Sequence, residues 1–529
     1  MVPIVATVAI LATAMAFTLY ARVARPWMVL GFVGLVPWLA VLDRTTSARA
    51  ALVAGLAMCS AFSLGVFGWF AGAIADYASI PHSLAWLLLA IGAPTLQPQL
   101  VAFAVARGPL RRELGKTFGT MAAALVYVGA EWLWPKVFAD TLGHGLHASA
   151  ALRQAADLAG APGLTFALLI VNESLLVVAT SFTRDHRVAS RALAVAIGVV
   201  LLLASYGLYR RAELAAQSAR GDARTVTAAL IQASITGYEE LRRTRGTFGA
   251  VDWILKEHVA LSDSALEGAA VDFVVWPETV YPTTFGRPKS EDGRAFDAEI
   301  TRFVERTKVP LLFGSYDVDG ADEYNAAFLV DTRVDEHVAQ PAYRKTHLFP
   351  LTEYVPAWLE SETSRHRLPW LGTWKAGPGP RVLELGLRGG SSLRLAPLIC
   401  LDAVVADHSL DAASLGAEVL VTLSNDSWFA ATPGAHLHLI VAAFRSIETR
   451  RPQLRVTNSG ISAIIDASGE LTATASAGER TALVGTVPLA GSADTLMLRW
   501  GDWFGPSAFT GGALALLLAV AKRRARRLG

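Results

Sequence analysis

Cysteine is nearly absent from this sequence: Cys59 and Cys400 are the two in 529 residues. A single disulfide would have to join Cys59, inside an apolar stretch, to Cys400 in a polar part of the chain, so a disulfide-built scaffold is excluded. Metal-binding punctuation is missing too. No CxxC occurs, and His436 and His438 are alternate neighbours with no HExxH around them; they read as ordinary helix or loop residues, and no metal is expected. No sign of charge dominates: 47 Lys and Arg stand against 45 Asp and Glu, a net +2, which removes the bulk electrostatic argument for nucleic acid. Charge is scarce altogether, at 17% of residues against 53% hydrophobic. A chain this apolar, with a positive mean hydropathy, is expected to cross a membrane.

Windows of about nineteen residues, matched to a bilayer core of roughly 30 Å, predict eight spans: 2–20, 27–42, 50–74, 83–106, 118–138, 162–182, 192–209 and 503–521. The second is short, and Pro94 and Pro98 interrupt the fourth, so tilted, broken or re-entrant geometry is expected there. The first lacks a basic n-region and a cleavage site and reads as a retained span. Arg44, Arg49, Arg107, Arg111, Arg112, Lys116, Arg184, Arg187, Arg191 and the tail KRRARR lie on one side of these spans. Arg22, Arg25, Lys136, Arg153, Arg210 and Arg211 lie on the other. The imbalance puts both termini in the cytoplasm. Two ionisable residues, Glu131 in GAEWLW and Glu173 in IVNESLL, fall within or at the rim of apolar spans. A charge there is costly enough to demand a partner or a cavity, and lining a lipid path or packing helix on helix are both open.

The chain therefore divides into a transmembrane domain at 1–211, a polar domain at 212–498 facing outward, and a last span with a basic tail at 499–529. Between 224 and 490, runs such as TVTAALIQASI, VDFVVWPE, VPLLFGSYDV, NAAFLVD, VAQPAYRK, SLRLAPLIC, AEVLVTLSN, LRVTNSG, ISAIIDA and TALVGTVPL read as strands. Helices are expected at 243–265, 295–308, 403–415 and 434–450. Near-continuous apolar strands alternating with helices indicate an α/β domain whose sheets are covered on both faces.

Reactive side chains stand at the ends of those strands. VDFVVWPE delivers Glu278 beside Trp276 and Pro277, where desolvation raises a carboxyl pKa toward that of a useful base. VAQPAYRK delivers Lys345, with Glu353 eight residues on in THLFPLTEYVP, and SLRLAPLIC delivers Cys400. An unpaired thiol in an outward, oxidising compartment points to chemistry: the carboxylate could take its proton, and the ammonium could hold a developing oxyanion. Each residue alone also has an ordinary reading, as inert core thiol, paired carboxylate or solvated lysine.

WPE at Glu278, YRKTHLFP at Lys345, PLIC at Cys400, LVTLSNDSWF and LRVTNSGISAIIDASGEL together resemble the nitrilase, or carbon-nitrogen hydrolase, superfamily with its Glu, Lys, Cys triad. TEYVP and seven spans before the domain with one after it resemble the apolipoprotein N-acyltransferase family within it; PWLAVLDR, the Trp69 region and AEWLW extend the likeness over nearly the whole chain. The resemblance implies an αββα sandwich on the periplasmic face of a bacterial inner membrane. It implies transfer of a fatty acyl chain from a phospholipid, through a Cys400 thioester, to the N-terminal amine of a diacylglyceryl-cysteine lipoprotein. Glu278 would be the base and Lys345 the oxyanion partner, with Glu353, Asp402 and Asn425 in support. No cofactor is implied, and a monomer is expected. The apolar segment with Trp358, Trp370 and Trp374 would be an acyl gate at the interface, core packing being the competing account of those rings. Leu401 and Asp402 replace the family's usual Tyr and Glu after the nucleophile, and Ala430 its usual glycine. A tryptophan is missing from IQASITGYEELRR, and PKVFADTLGHGLH replaces an aromatic, proline-containing element; these departures bear on acceptor choice and rate. A membrane-tethered amidase using water, and a non-catalytic lipid or lipoprotein binder, are the alternative functions.

Overall fold

A computed structural model describes the chain apart from residues 1, 219–223, 332–342, 358, 368–371, 389, 430, 490–492 and 529. It separates into two compact units, Met1–Glu213 with Arg499–Gly529, and Leu214–Leu498.

The first unit is helical. Six helical stretches are long and apolar enough to cross a membrane: Arg25–Asp43, Ala48–Phe67, His82–Leu114, Leu152–Ser181, His186–Gln217 and Phe504–Arg527. The expected count of eight is thus not reached among the described residues. Ile4–Tyr20 is apolar but shorter, and Lys116–Leu133 is helical yet opens on Lys116 and carries Glu131, which dilutes its apolar character. The expected span at 50–74 is also too long, because its helix stops at Phe67 and a second one runs from Phe70 to Ala78. The fourth breaks where its prolines predict: Gln97 leaves the helical region at φ −132° and ψ 62°, directly ahead of Pro98. Close helix contact selects small residues. A Cβ on Gly129 would lie 2.4 Å from the Cα of Phe509, so only glycine allows that crossing.

Both membrane-unit carboxylates are paired: Glu173 ties helix to helix, and Glu131 ties its helix to a neighbouring one and to the connection that follows it. Glu173 receives the Nε and, at 2.8 Å, the second guanidinium nitrogen of Arg107, which also meets Asp43 at 2.6 Å. Glu131 takes Lys136 and Thr141, each at 2.7 Å, and Gln99 at 3.1 Å.

The second unit holds two six-stranded sheets among the described residues. In chain order the strands are β1 Thr225–Gln232, β2 Phe273–Val275, β3 Leu311–Asp319, β4 Asp322–Val330, β5 Tyr343–Arg344, β6 Leu383–Gly386, β7 Ser392–Ile399, β8 Val419–Ser424, β9 Gln453–Thr457, β10 Ser462–Ile465, β11 Leu471–Ala475 and β12 Thr481–Pro488. One sheet runs β12-β1-β2-β3-β4-β5 and the other β11-β10-β9-β8-β7-β6. The central pairs β1/β2, β2/β3, β7/β8 and β8/β9 are parallel.

Period-two alternation gives the central strands two buried faces. Ala228, Leu230, Phe273, Val275 and Leu312 of the first sheet share a core with Leu395, Ile399, Val421, Leu423 and Leu454 of the second. The opposite face of the first sheet, with Ile231, Val274 and Phe313, packs under helices Tyr238–Gly268 and Glu291–Thr307 through Leu255, Phe296 and Ile300. Ala396, Leu398 and Leu420 of the second sheet do the same under helices Ala406–Ser414 and Pro433–Thr449. The layers are therefore α, β, β, α. β6 and β11, at the outer edge, were not expected; their solvent-exposed alternate residues give LELG and LTATA a weaker apolar signal than the central strands.

Candidate active site

β2 runs out into Trp276, which is fully buried and donates its indole N–H to Ser262 at 2.9 Å. Pro277 and Glu278 follow and press against β3 at Gly314, where a Cβ would come within 2.7 Å of the Glu278 Cα and the Pro277 carbonyl oxygen. β5 pairs with β4 and delivers Lys345, whose N–H donates to the Asn325 carbonyl at 2.8 Å. The Lys345 ammonium is 1% exposed and lies 3.2 Å from Glu278 Oε1 and 2.7 Å from Glu353 Oε1. Thus one cation sits between two carboxylates.

Each carboxylate has further donors. Asn325 Nδ2 donates to Glu278 Oε1 at 2.7 Å and to Glu353 Oε1 at 3.4 Å. The backbone N–H of Asn425 donates to Glu278 Oε2 at 3.0 Å, and that of Phe349 to Glu353 Oε2 at 2.6 Å. Asn425 therefore meets the site through its main chain, while its side-chain oxygen accepts from Asn458 at 3.0 Å.

Cys400 sits where β7 stops, on a 3-10 turn Cys400–Val404, with φ at +49°. A non-glycine residue in the left-handed region costs roughly 1–3 kcal/mol and needs fixing by its surroundings. Asp402, fully buried, supplies that fixing. Its Oδ2 accepts from the Ile399 N–H at 3.0 Å and the Tyr343 hydroxyl at 2.8 Å, and its Oδ1 from the His347 N–H at 2.7 Å and His347 Nδ1 at 3.1 Å. One carboxylate thereby ties the cysteine turn to the segment bearing Lys345. Behind the turn, His438 lies 3.3 Å from the Cys400 carbonyl oxygen and 3.0 Å from Asp426, and Arg455 meets Asp426 at 2.8 Å.

These groups set one another's protonation. Burial pushes Glu278 above the usual carboxylate range, against the pull of Lys345, and the like charge of Glu353 adds to it. Burial would lower Lys345, but Glu278 and Glu353 outweigh it and hold the ammonium well above its ordinary value. The Cys400 thiol is pushed well up, first by burial and then by the charge of Glu278, with Lys345 opposing. Asp402 goes the other way: burial would raise it, yet the His347 hydrogen bond and the His408 and Lys345 charges keep it ionised below its usual value. The resting site combines a protonated thiol, a carboxyl of raised pKa and a charged ammonium, within electrostatic reach of one another. Such a set can pass one proton from sulfur to carboxylate while stabilising a new negative charge.

Of the three tryptophans, Trp358 and Trp370 lie outside the described residues. The ring of Trp374 rests 4.5 Å from that of Tyr316, and the Trp374 backbone N–H donates to the Glu353 carbonyl at 2.8 Å. Ala430 is also outside the described residues. Leu401 packs with Val404 and Val441 in an apolar cluster. Asn325, Tyr343, His347, His408, Asp426 and Arg455 were not expected at the site, and His438 was expected to be an ordinary residue; a polar residue directly abutting an apolar run, as Asn325 does in NAAFLVD, was the available signal.

Residues 227–495 match the family described as carbon-nitrogen hydrolase, and residues 6–173 match the one described as apolipoprotein N-acyltransferase N-terminal domain. An apolipoprotein N-acyltransferase of Bdellovibrio bacteriovorus is 27% identical over 481 residues, covering 88% of this chain and 85% of that one. That of Geobacter metallireducens is 26% identical over 500 residues, 91% and 88% of the two chains. That of Sinorhizobium medicae is 29% identical over 432 residues, 78% and 75%.

Proposed function

The chain belongs to the carbon-nitrogen hydrolase family, and we propose that it is an acyltransferase of bacterial lipoprotein maturation, like the apolipoprotein N-acyltransferases it resembles along most of its length. In this reading Glu278 accepts the Cys400 proton as the sulfur attacks a phospholipid ester carbonyl. Lys345 stabilises the tetrahedral oxyanion. Collapse breaks the ester C–O bond, and the lysophospholipid leaves with the proton held by Glu278. The α-amine of a diacylglyceryl-cysteine then attacks the thioester and gives its proton to Glu278, and the thiolate departs and recovers it. The amide product and the free thiol complete a cycle balanced in atoms and charge, with no cofactor.

The observation that carries this reading is the buried Glu278, Lys345, Glu353 cluster, electrostatically coupled to the Cys400 thiol. Glu353 keeps Lys345 charged and aimed, Asp402 anchors the cysteine turn, and Asn425 orients Glu278. Trp374, with Trp358 and Trp370, gates the acyl chain. The protein acts as a monomer of the inner membrane with eight passes, counting Ile4–Tyr20 and Lys116–Leu133. Its transmembrane part is 1–211, its catalytic domain 212–498 is periplasmic, and 499–529 returns the C-terminus to the cytoplasm.

Intact-mass measurement after incubation with phospholipid tests the chemistry. We expect a fatty-acyl increment on the native protein, none on Cys400→Ala, and discharge of the increment by a diacylated lipopeptide. An equal increment on Cys400→Ala would refute a Cys400 thioester. Discharge by water at the same rate with and without the lipopeptide would indicate an amidase-like hydrolase instead.

A further inference from the structure

The clamp around Asp402 has more donors than a positioning role requires. His347, Asp402 and His408 each offer one ligand atom, and these atoms lie within 4.8 Å of one another. The Tyr343 hydroxyl sits in the same ring of contacts, 2.8 Å from Asp402 Oδ2 and 3.0 Å from His408 Nε2, while His347 Nδ1 is 3.1 Å from Asp402 Oδ1. Neighbouring ligand atoms on a tetrahedral zinc ion are about 3.3 Å apart, given metal–nitrogen and metal–oxygen bonds near 2.0–2.1 Å. The Tyr343–Asp402 and Tyr343–His408 separations, which share the Tyr343 oxygen, are therefore two edges already close to length, while His347 approaches the other oxygen of the same carboxylate. Two imidazoles suit zinc-class cations, and a carboxylate oxygen is an accepted further ligand to zinc.

We propose that His347, Asp402 and His408, with Tyr343 as fourth donor, form a binding site for a divalent transition cation of the zinc class. Binding requires His347 to carry its proton on Nε2, freeing Nδ1, and that ring is the solvent-side ligand, its side chain 35% exposed against a fully buried Asp402. A second group with similar spacing, Cys400, Asp426 and His438, is unsuitable. Arg455 is 2.8 Å from Asp426 and 3.1 Å from His438 Nδ1, so a cation already occupies its centre of negative charge. Bound metal would cross-link the cysteine turn to the lysine-bearing segment, through Asp402 from one side and His347 and Tyr343 from the other.

This site goes beyond the acyltransferase reading, and its test is independent of that reading. The full chain is prepared as Cys400→Ala, which removes the thiol as a competing ligand, and is titrated with Co2+ in detergent. We expect the strong visible absorption of a tetrahedral cobalt site, its displacement by Zn2+, and an upward shift of the melting midpoint with Zn2+. Adding His408→Ala, or separately His347→Asn on the more exposed ring, should abolish the absorption and the shift. Two variants are used so that a folding defect in the buried one leaves the other decisive. No tetrahedral absorption in Cys400→Ala, or absorption undiminished in the histidine variants, overturns the site.

Discussion

Glu278, Lys345 and Glu353 surround one ammonium with two carboxylates in a pocket nearly closed to solvent. The pair of charges keeps Lys345 protonated far above its ordinary range, so titration of the lysine does not limit activity at moderately alkaline pH. Glu278 does the limiting. As a base it must be ionised, and burial raises its pKa, so the rate of acyl-enzyme formation should fall as pH drops through a value above the ordinary 4.5 of a glutamate. A pH profile of single-turnover acylation should show that acid limb. Glu278→Gln should abolish it and slow acylation by roughly 10²- to 10⁴-fold; a native profile flat down to the ordinary glutamate range would contradict the assignment. At this scale the sequence shows residues whose position breaks a pattern. Glu278, Lys345 and Cys400 each stand where an apolar run stops. Asn325 stands at the start of such a run, directly after a polar stretch, and Asn425 contributes a backbone N–H, which residue type cannot reveal.

Strand ends do the positioning, and the central strands were readable because burial on both faces makes them continuously apolar. The edge strands β6 and β11 were not, since half of their residues face water. What joins one strand end to the next is tighter than any pattern shows. The Pro277–Glu278 segment passes so close to β3 that a methyl group at Gly314 would fall 2.6 Å from the Thr279 nitrogen and 2.7 Å from the Glu278 Cα. These are backbone atoms, so relief requires the segment to move. Gly314→Ala is expected to destabilise the polar unit by roughly 1–3 kcal/mol, measured as a lower melting midpoint. It should also slow acylation by about a hundredfold, because a shift of about 1 Å at a reacting group costs that much. A Gly314→Ala protein with native stability and native acylation would show that Glu278 is not held by this contact.

For the whole molecule, the charge asymmetry gains force from how the basic residues are used. On the side assigned outward, Lys136 is consumed by Glu131 at 2.7 Å, and Arg210 by Asp157 at 2.7 Å and Glu213 at 2.6 Å. On the opposite side Arg107, Arg111 and Arg526 are likewise paired, with Glu173, Asp43 and Glu113, but the terminal residues 522–527 are exposed and Arg184, Arg187 and Arg191 cluster around one short connection. Exposed positive charge is therefore denser on the side that the positive-inside rule would assign to the cytoplasm. In the proposed topology Leu214–Leu498 would face outward, where a lipid-anchored donor and acceptor could both be held beside one nucleophile at high effective concentration. Single cysteines test this in a Cys400→Ala background, Cys59 being buried. In spheroplasts, a membrane-impermeant maleimide should label Asp319→Cys in the polar unit and leave Arg184→Cys and Arg524→Cys unlabelled until the membrane is opened. Labelling of Arg524→Cys in sealed spheroplasts would remove an even number of passes, and with it the shared compartment on which two-substrate acyl transfer depends.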